Sequence, residues 1–195
     1  MDGSRFWIEW RTDVGHLAAL EPDASEVLLH AETLAAAYND PRNATLMGHT
    51  EAISPAEVAA HYAEIRDDGG RNFLLFRDGA LVGDADLRGI EDGAAEFAFM
   101  IGAPDVQGKG LGTRYAMMIH AFAFAQLGLA RVYASVVPHN TASRRVFDKL
   151  GYTLDDSAAA RAYADEPGDV TLVIERATFE ASQVAARGEI RIAMR

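Results

Sequence analysis

Cysteine is absent from the 195 residues. That excludes a disulfide framework, a thiolate metal site and a cysteine nucleophile. It is compatible with a reducing compartment, and a cytoplasmic location is the expectation. Long apolar runs are missing too: the greasiest stretch, 116–127, is interrupted by His120 and Gln126 and is too short to span a bilayer, so no membrane partner is expected. The opening Met1-Asp2-Gly3-Ser4-Arg5 lacks the basic start and apolar core of a signal peptide. Basic charge is scarce. Eighteen Lys and Arg face 29 Asp and Glu, a net charge of −11, which argues against nucleic acid as the main partner. The six histidines show no His-Glu-x-x-His spacing, so no metal site is expected. Internal repeats and low-complexity tracts are also lacking.

What is present suits one domain over 1–195, with 49% apolar residues to fill a core. Charge is unevenly placed. Residues 1–100 carry 7 basic and 19 acidic side chains, residues 101–195 carry 11 and 10. One half suits a cationic partner and the other tolerates an anionic one, unless the acids serve solubility alone. The turn Asp67-Asp68-Gly69-Gly70 separates two patterned blocks. Before it, helices are predicted over 26–38, ending near Asn39-Asp40-Pro41, and from Ser54-Pro55-Ala56-Glu57 to about Arg66, where Ser54 caps, Pro55 opens and Glu57 completes a capping box. After it the period changes to that of strands: 72–76, 80–87 and 95–101, joined by Asp78-Gly79 and Glu91-Asp92-Gly93 as antiparallel neighbours. A helix over 110–127, a strand over 131–137, a helix over 140–150 and a strand over 169–177 follow. Short strands are predicted at 6–10 and 189–194. The expected fold class is α+β (mixed α/β), with a central sheet flanked by helices.

The most informative segment runs from the strand at 95–101 through a glycine-rich turn, Gln107-Gly108-Lys109-Gly110-Leu111-Gly112-Thr113, into the long helix. The first turn of a helix offers unpaired N–H groups and the positive end of the helix dipole. Glycines leave those amides open to an anion. Lys109 and Arg114 add positive charge, and a diphosphate is the natural ligand. A tight turn without ligand is the plain alternative. A P-loop pattern is absent, and the glycine spacing does not fit a dinucleotide fingerprint.

Gln107-Gly108-Lys109-Gly110-Leu111-Gly112 resembles the acetyl-CoA motif of the GNAT N-acetyltransferase superfamily, Gln/Arg-x-x-Gly-x-Gly/Ala. A second block of that family stands downstream, from Asn140-Thr141-Ala142-Ser143 to Phe147-Asp148-Lys149-Leu150-Gly151-Tyr152. The resemblance covers about 72–177 and looks nearest to the branch that acetylates ribosomal-protein N-termini. It implies a mostly antiparallel sheet with two splayed parallel strands, here 95–101 and 131–137, and acetyl-CoA as co-substrate. The implied coenzyme contacts are the amides of Gln107, Gly108, Lys109, Gly110, Leu111 and Gly112, with Thr113 next in the helix. Met100, Ile101 and Gly102 would pair with the pantetheine arm like an added strand. Asn140 would bond the pantetheine, or serve only as a helix N-cap. Ser143 and Phe147 lie three and seven residues further on and share its helix face. The 1–70 part would shape the acceptor pocket, and a homodimer is the family's habit.

Phe147 departs from the family, in which many members place a tyrosine that protonates the leaving thiolate. The resemblance implies that Ser143 substitutes as the acid, or is simply small enough to admit the coenzyme. Glu96, eleven residues before Gln107, stands at the offset of the catalytic glutamate of histone-type members, and it implies a general base for the amine. The alternative is an ordinary glutamate on the sheet. Asp84 and Asp86 alternate on the previous strand and either line the amine pocket or lie in solvent. In some relatives a glutamate stands where this chain has Ser135. Arg144, Arg145 and Lys149 could neutralise the outer phosphates. His120, Met117, Met118, Phe122 and Phe124 read as core. The expected activity is direct acetyl transfer from acetyl-CoA to a primary amine of a small molecule or peptide. An acyl-CoA-binding sensor without turnover, or acetylation of a cationic drug such as an aminoglycoside, are the alternatives.

Overall fold

A computed structural model describes residues 5–48, 50–102 and 108–195. The chain opens with a hairpin, β1 (Phe6–Thr12) and β2 (Gly15–Leu20), and continues through three helices, α1 (Ala24–Tyr38), α2 (Pro41–Met47) and α3 (Pro55–Asp67). Next come β3 (Arg71–Arg77), β4 (Ala80–Glu91), β5 (Ala94–Ile101), α4 (Leu111–Ala125), β6 (Arg131–Val136) and α5 (Thr141–Leu150). The remainder is β7 (Thr153–Leu154), α6 (Ala158–Arg161), β8 (Val170–Glu175), α7 (Arg176–Ser182), α8 (Val184–Glu189) and β9 (Arg191–Met194).

All nine strands join one sheet in the order β7-β8-β6-β5-β4-β3-β2-β1-β9. Each neighbouring pair is antiparallel except β5 and β6. This is the mixed α/β fold expected, including the three antiparallel strands in a row. The parallel pair holds only over Ala94↔Arg131, Ala95↔Val132 and Glu96↔Tyr133. Beyond Glu96 both strands continue, β5 to Ile101 and β6 to Val136, without pairing to each other. The sheet therefore splays open past Glu96.

Side-chain alternation along β4 and β5 sorts the two faces. Ala85, Leu87, Ala95 and Phe97 join the main core with Tyr115, Met118 and Phe122 of α4, Phe147 and Leu150 of α5 and Phe179 of α7. Met100 faces the other way and packs with Leu74 against Val27, Leu34, Val58 and Tyr62 of α1 and α3. Asp84, Asp86, Arg88, Glu96 and Ala98 share that second face by alternation.

Local signals account for most helix boundaries. Asp23 and Ser54 form capping boxes with Glu26 and Glu57. Asn39-Asp40-Pro41 does end α1, but Asp40 also caps a helix absent from the sequence reading: it accepts from the amides of Arg42 and Asn43, Pro41 opens α2, and Gly48 closes it in the left-handed conformation. The strand expected to 177 stops at Glu175. There the Arg176 amide donates to Ala130 O and its guanidinium to Leu129 O, which turns the chain into α7. The C-terminal strand is confined to β9, because residues up to Glu189 belong to α8. The hairpin strand β2 is also new. Leu17, Ala18, Ala19 and Leu20 are all buried, so it carries no alternation to read.

Candidate active site

The glycine turn leads into α4 as the charge argument requires. Gly108 and Gly110 both take φ +76°, which side chains resist, and Gly110 caps the helix without any side-chain hydrogen bond. The first amides of α4 are thus left without a side-chain acceptor, and a diphosphate fits them. Gly112 has a different reason. A Cβ there would come within 3.0 Å of the Phe99 ring. Gln107 lies outside the described residues.

A cleft of about 420 Å³ opens at this turn. Its walls are the end of β5 (Phe99, Met100, Ile101), the turn and helix start (Gly108, Gly110, Leu111, Gly112, Thr113), α2 (Arg42, Asn43, Leu46, Met47) and α5 (Asn140, Ala142, Ser143, Arg145, Val146, Lys149). Among the described residues its charged lining is Arg42, Arg145 and Lys149, with no carboxylate, in a protein of net charge −11. None of the three side chains makes an ion pair among the described residues. A further hollow of about 580 Å³ adjoins it at Gly110, Thr113 and Lys149, walled by Trp10, Arg114 and residues of α8.

Most of the expected coenzyme residues therefore come together in this cleft. Gly102 does not line it. Its amide donates to Val82 O, and a Cβ would meet the Ala37 side chain at 2.5 Å. Lys109 is exposed on the turn, outside the lining. Phe147 is 2% exposed and packs its ring against Phe97, Phe99 and Tyr152 behind the cleft wall. Asn140 does act as the N-cap: its Oδ1 accepts from the Ser143 amide, and its Nδ2 donates to Leu46 O of α2. His139 Nε2 lies 2.8 Å from Thr45 O, a second tie between α2 and the α5 N-terminus. Asn43 Nδ2 donates to Ala37 O and, at 3.4 Å, to Gly102 O. The Ser143 hydroxyl has no hydrogen-bond partner among the described residues and lines the cleft.

Glu96 belongs to a second cleft of about 820 Å³, on the α1/α3 side of the sheet. Six carboxylates line it (Glu64, Asp68, Glu91, Asp92, Glu96 and Asp165), against the guanidiniums of Arg88 and Arg131 and the ring of His61. Glu96 is not a bare base. Arg88 Nε donates to its Oε2 at 2.8 Å and Nη2 to its Oε1 at 3.1 Å. The same Nη2 reaches both oxygens of Asp165 at 2.8 and 3.0 Å. Burial pushes the Glu96 carboxyl up, and Arg88 opposes that. For Arg88, burial works against the charge, but the hydrogen bond it donates to Glu96 and the surrounding acids raise its pKa overall. The loop holding Asp165 is pinned in turn. The Asp165 amide donates to Ser135 Oγ, which donates to Asp169 Oδ2, and Tyr163 stacks on Tyr133 at 4.7 Å.

Asp84 and Asp86 are the other surprise. Asp84 is 4% exposed, and its Oδ2 accepts from Tyr38 Oη of α1 at 2.8 Å and Tyr62 Oη of α3 at 3.0 Å. Burial raises its pKa to about 6 while the two phenols pull it down. Arg88, Asp165, Tyr38, Tyr62 and Arg42 escaped the sequence reading as site residues. The Asp40-Pro41 start and Gly48 stop of α2 could have placed Arg42. Nothing local joins Arg88 to Asp165. His120 is fully buried between Ala116 O and Tyr152 Oη, and burial lowers its pKa to about 4, so it is a neutral core residue as expected. Among the described residues no group of three or more His, Asp or Glu could hold a metal ion, and no helix is long and apolar enough to cross a membrane.

The mixed sheet that opens past Glu96, with a glycine turn at the start of α4, is the fold of an acetyltransferase. A match to the acetyltransferase (GNAT) domain family covers residues 23–153, and the chain belongs to that family. Spermidine N(1)-acetyltransferase of Escherichia coli K12 is 33% identical over 93 residues, 47% of this chain and 50% of that protein. The match thus spans about half the length of that relative. Among solved structures, RimJ of Mycobacterium smegmatis in complex with CoA-disulfide superposes with a TM-score of 0.74 at 16% identity, covering 95% of this chain and 96% of that one. Aminoglycoside acetyltransferase AAC(6')-Ib in complex with coenzyme A gives 0.70 at 16% identity, covering 86% and 99%. Both likenesses concern the fold.

Proposed function

We propose that this chain transfers an acetyl group from acetyl-CoA to a cationic primary amine within a ternary complex. The observation that carries this reading is a pair of oppositely charged clefts along one strand, the cationic one at Phe99 to Ile101 of β5 and the acidic one at Ala94 and Glu96. The cation-lined cleft suits the phosphates and pantetheine of the coenzyme, with the diphosphate on the amides at Gly108 to Gly112. The wall formed by Phe99, Met100 and Ile101 at the end of β5 would lie along the pantetheine arm. The six-carboxylate cleft suits an ammonium-bearing acceptor. Holding both substrates at the gap supplies much of the acceleration through proximity. The unpartnered Ser143 hydroxyl is placed to protonate the departing thiolate, a role Phe147 lacks the chemistry to fill.

Polyamines head the list of acceptors, because the cleft is strongly acidic and the matched E. coli relative acts on spermidine. Aminoglycosides and peptide N-termini follow. The test is release of free CoA thiol with spermidine, kanamycin or an N-terminally free peptide, with the acetylated product confirmed by mass. Steady turnover with a polycation and little with a neutral-chain amine is expected. Calorimetric CoA binding with no turnover on any amine would favour the second reading, an acyl-CoA-binding sensor, for which the phenylalanine at 147 speaks. Failure to bind CoA would sink both.

A further inference from the structure

We propose that Asp86, rather than Glu96, takes the proton from the acceptor's ammonium, with Arg88 acting as the positioning residue that keeps Glu96 and Asp165 out of that role. This rests on the acetyl-transfer reading above.

Asp86 Oδ1 is, among the described residues, the one buried side-chain polar atom without a hydrogen-bond partner. Buried polar atoms are nearly always satisfied, and leaving a carboxylate oxygen bare is costly. An N–H⁺ donor arriving with the substrate would satisfy it. Every neighbouring acid is already engaged. Asp84 of the same strand accepts two phenolic hydroxyls, from Tyr38 of α1 and Tyr62 of α3. Glu96 of β5 has both oxygens on Arg88, and Asp165 of the loop after α6 has both oxygens on the same guanidinium. Arg88 Nε stands 3.9 Å from Asp86 Oδ1, attractive but beyond a hydrogen bond.

Register places Asp86 on β4 between the two linings, in neither of which it takes part. Met100, which lines the coenzyme cleft, is opposite Asp84; Glu96, which lines the acidic cleft, is opposite Arg88; between them Asp86 faces Ala98. Ala98 is the second residue past the last β5–β6 pair, where the sheet has opened. The Asp86 side chain keeps 15% of its surface exposed there. Burial, helped by Asp84, Glu96 and Asp165 and opposed by Arg88, raises the Asp86 carboxyl to about 7, a suitable value for a base at neutral pH.

The balance is simple. The ammonium gives one proton to ionised Asp86, and the freed nitrogen lone pair forms the N–C bond at the thioester carbonyl as the C–S bond breaks. The second nitrogen proton ends on the leaving sulfur as CoA thiol. Asp86 returns its proton to solvent, so one acid equivalent is released per turnover.

The test uses spermidine as probe and two variants, Asp86→Asn and Glu96→Gln, each first shown by calorimetry to bind CoA like the wild type. Expected for wild type is a kcat/KM that falls tenfold per pH unit below about 7. Asp86→Asn should lower kcat by about 10²–10⁴-fold and flatten that limb, while Glu96→Gln should keep it. A readout independent of turnover is the side-chain carboxyl ¹³C spectrum of aspartate-labelled protein. Two resonances should titrate above the usual aspartate range, Asp84 near 6 and Asp86 near 7; the upper resonance should vanish in Asp86→Asn and shift its midpoint down when spermidine is added. The idea is overturned if that resonance survives in Asp86→Asn, if spermidine leaves it unmoved, or if the acid limb goes with Glu96→Gln. Absence of turnover with any amine would instead strike the acetyl-transfer reading, while the carboxyl titration would still decide the fate of Asp86.

Discussion

The two clefts share one sheet and are built on opposite electrical terms. The cleft at the glycine turn presents Arg42, Arg145 and Lys149 and, among the described residues, no anion, whereas the cleft at Glu96 presents six carboxylates with Arg88 locked between Glu96 and Asp165. One cleft keeps its charges uncommitted and gains its anion from the ligand. The other ties Glu96 and Asp165 to Arg88, and beside it Asp86 Oδ1 is buried without a hydrogen-bond partner. Uniform net charge would serve neither substrate. Segregation sets a cationic and an acidic lining within a few residues of the same strand.

The sharpest way to break the coenzyme side is Gly110→Val. Its left-handed backbone would carry a β-branched side chain, which costs about 1–3 kcal/mol and crowds the turn. CoA affinity by calorimetry should drop by about 10-fold or more. On the acidic side, Arg88→Ala strips the partner from buried Glu96 and exposed Asp165 and leaves Glu96 and Asp86 without their nearest cation. With Arg88 27% exposed, screening limits the loss to about 1–3 kcal/mol of stability. The loss should be largest at pH 8 and shrink toward pH 5 as the acids protonate, which thermal unfolding at both pH values will show.

Asp86→Asn should do the reverse to stability. The Asp86 carboxyl has its folded pKa raised from 3.8 to about 7, so the folded state holds more protons than the unfolded chain between those values. Stability from this group falls as pH rises through that window. Replacing it should raise Tm by about 2–4 °C at pH 8 and leave it nearly unchanged at pH 4. A site that is destabilising in its active ionisation state fits a catalytic group better than a structural one. The smallest effect concerns the exposed end of the coenzyme cleft. Arg145→Ala or Lys149→Ala should weaken CoA binding by roughly 2–5-fold at low salt, and the difference should fade as ionic strength rises.

The glycine turn, the caps of α1 and α3 and the three antiparallel strands were legible because each depends on residues within a few positions of one another. α2 was legible in principle, since Asp40, Pro41 and Gly48 carry its start and stop, but the same Asp40-Pro41 also ends α1 and was read only so. Asn140 and Phe147 show the limit of motif spacing. Helical periodicity puts them on one face, yet α2 draws Asn140 into a cap and a tether while the aromatic core draws Phe147 behind the wall. Glu96 shows it more clearly. Its position on the strand was correct, and its ion pair with Arg88 depends on the hairpin register Arg88↔Glu96.

Sequence by itself determined the turn that leaves helix amides open and the strand that feeds it, because left-handed glycines, capping side chains and alternating apolar residues act over a handful of neighbours. Tertiary structure alone decided which carboxylate is free. Tyr38, Tyr62, Arg88, Glu96 and Asp165 come from five separate segments. Which acids they satisfy is set by strand register and by how helices and a returning loop pack on one face of the sheet, and those distances in space have no counterpart in distance along the chain.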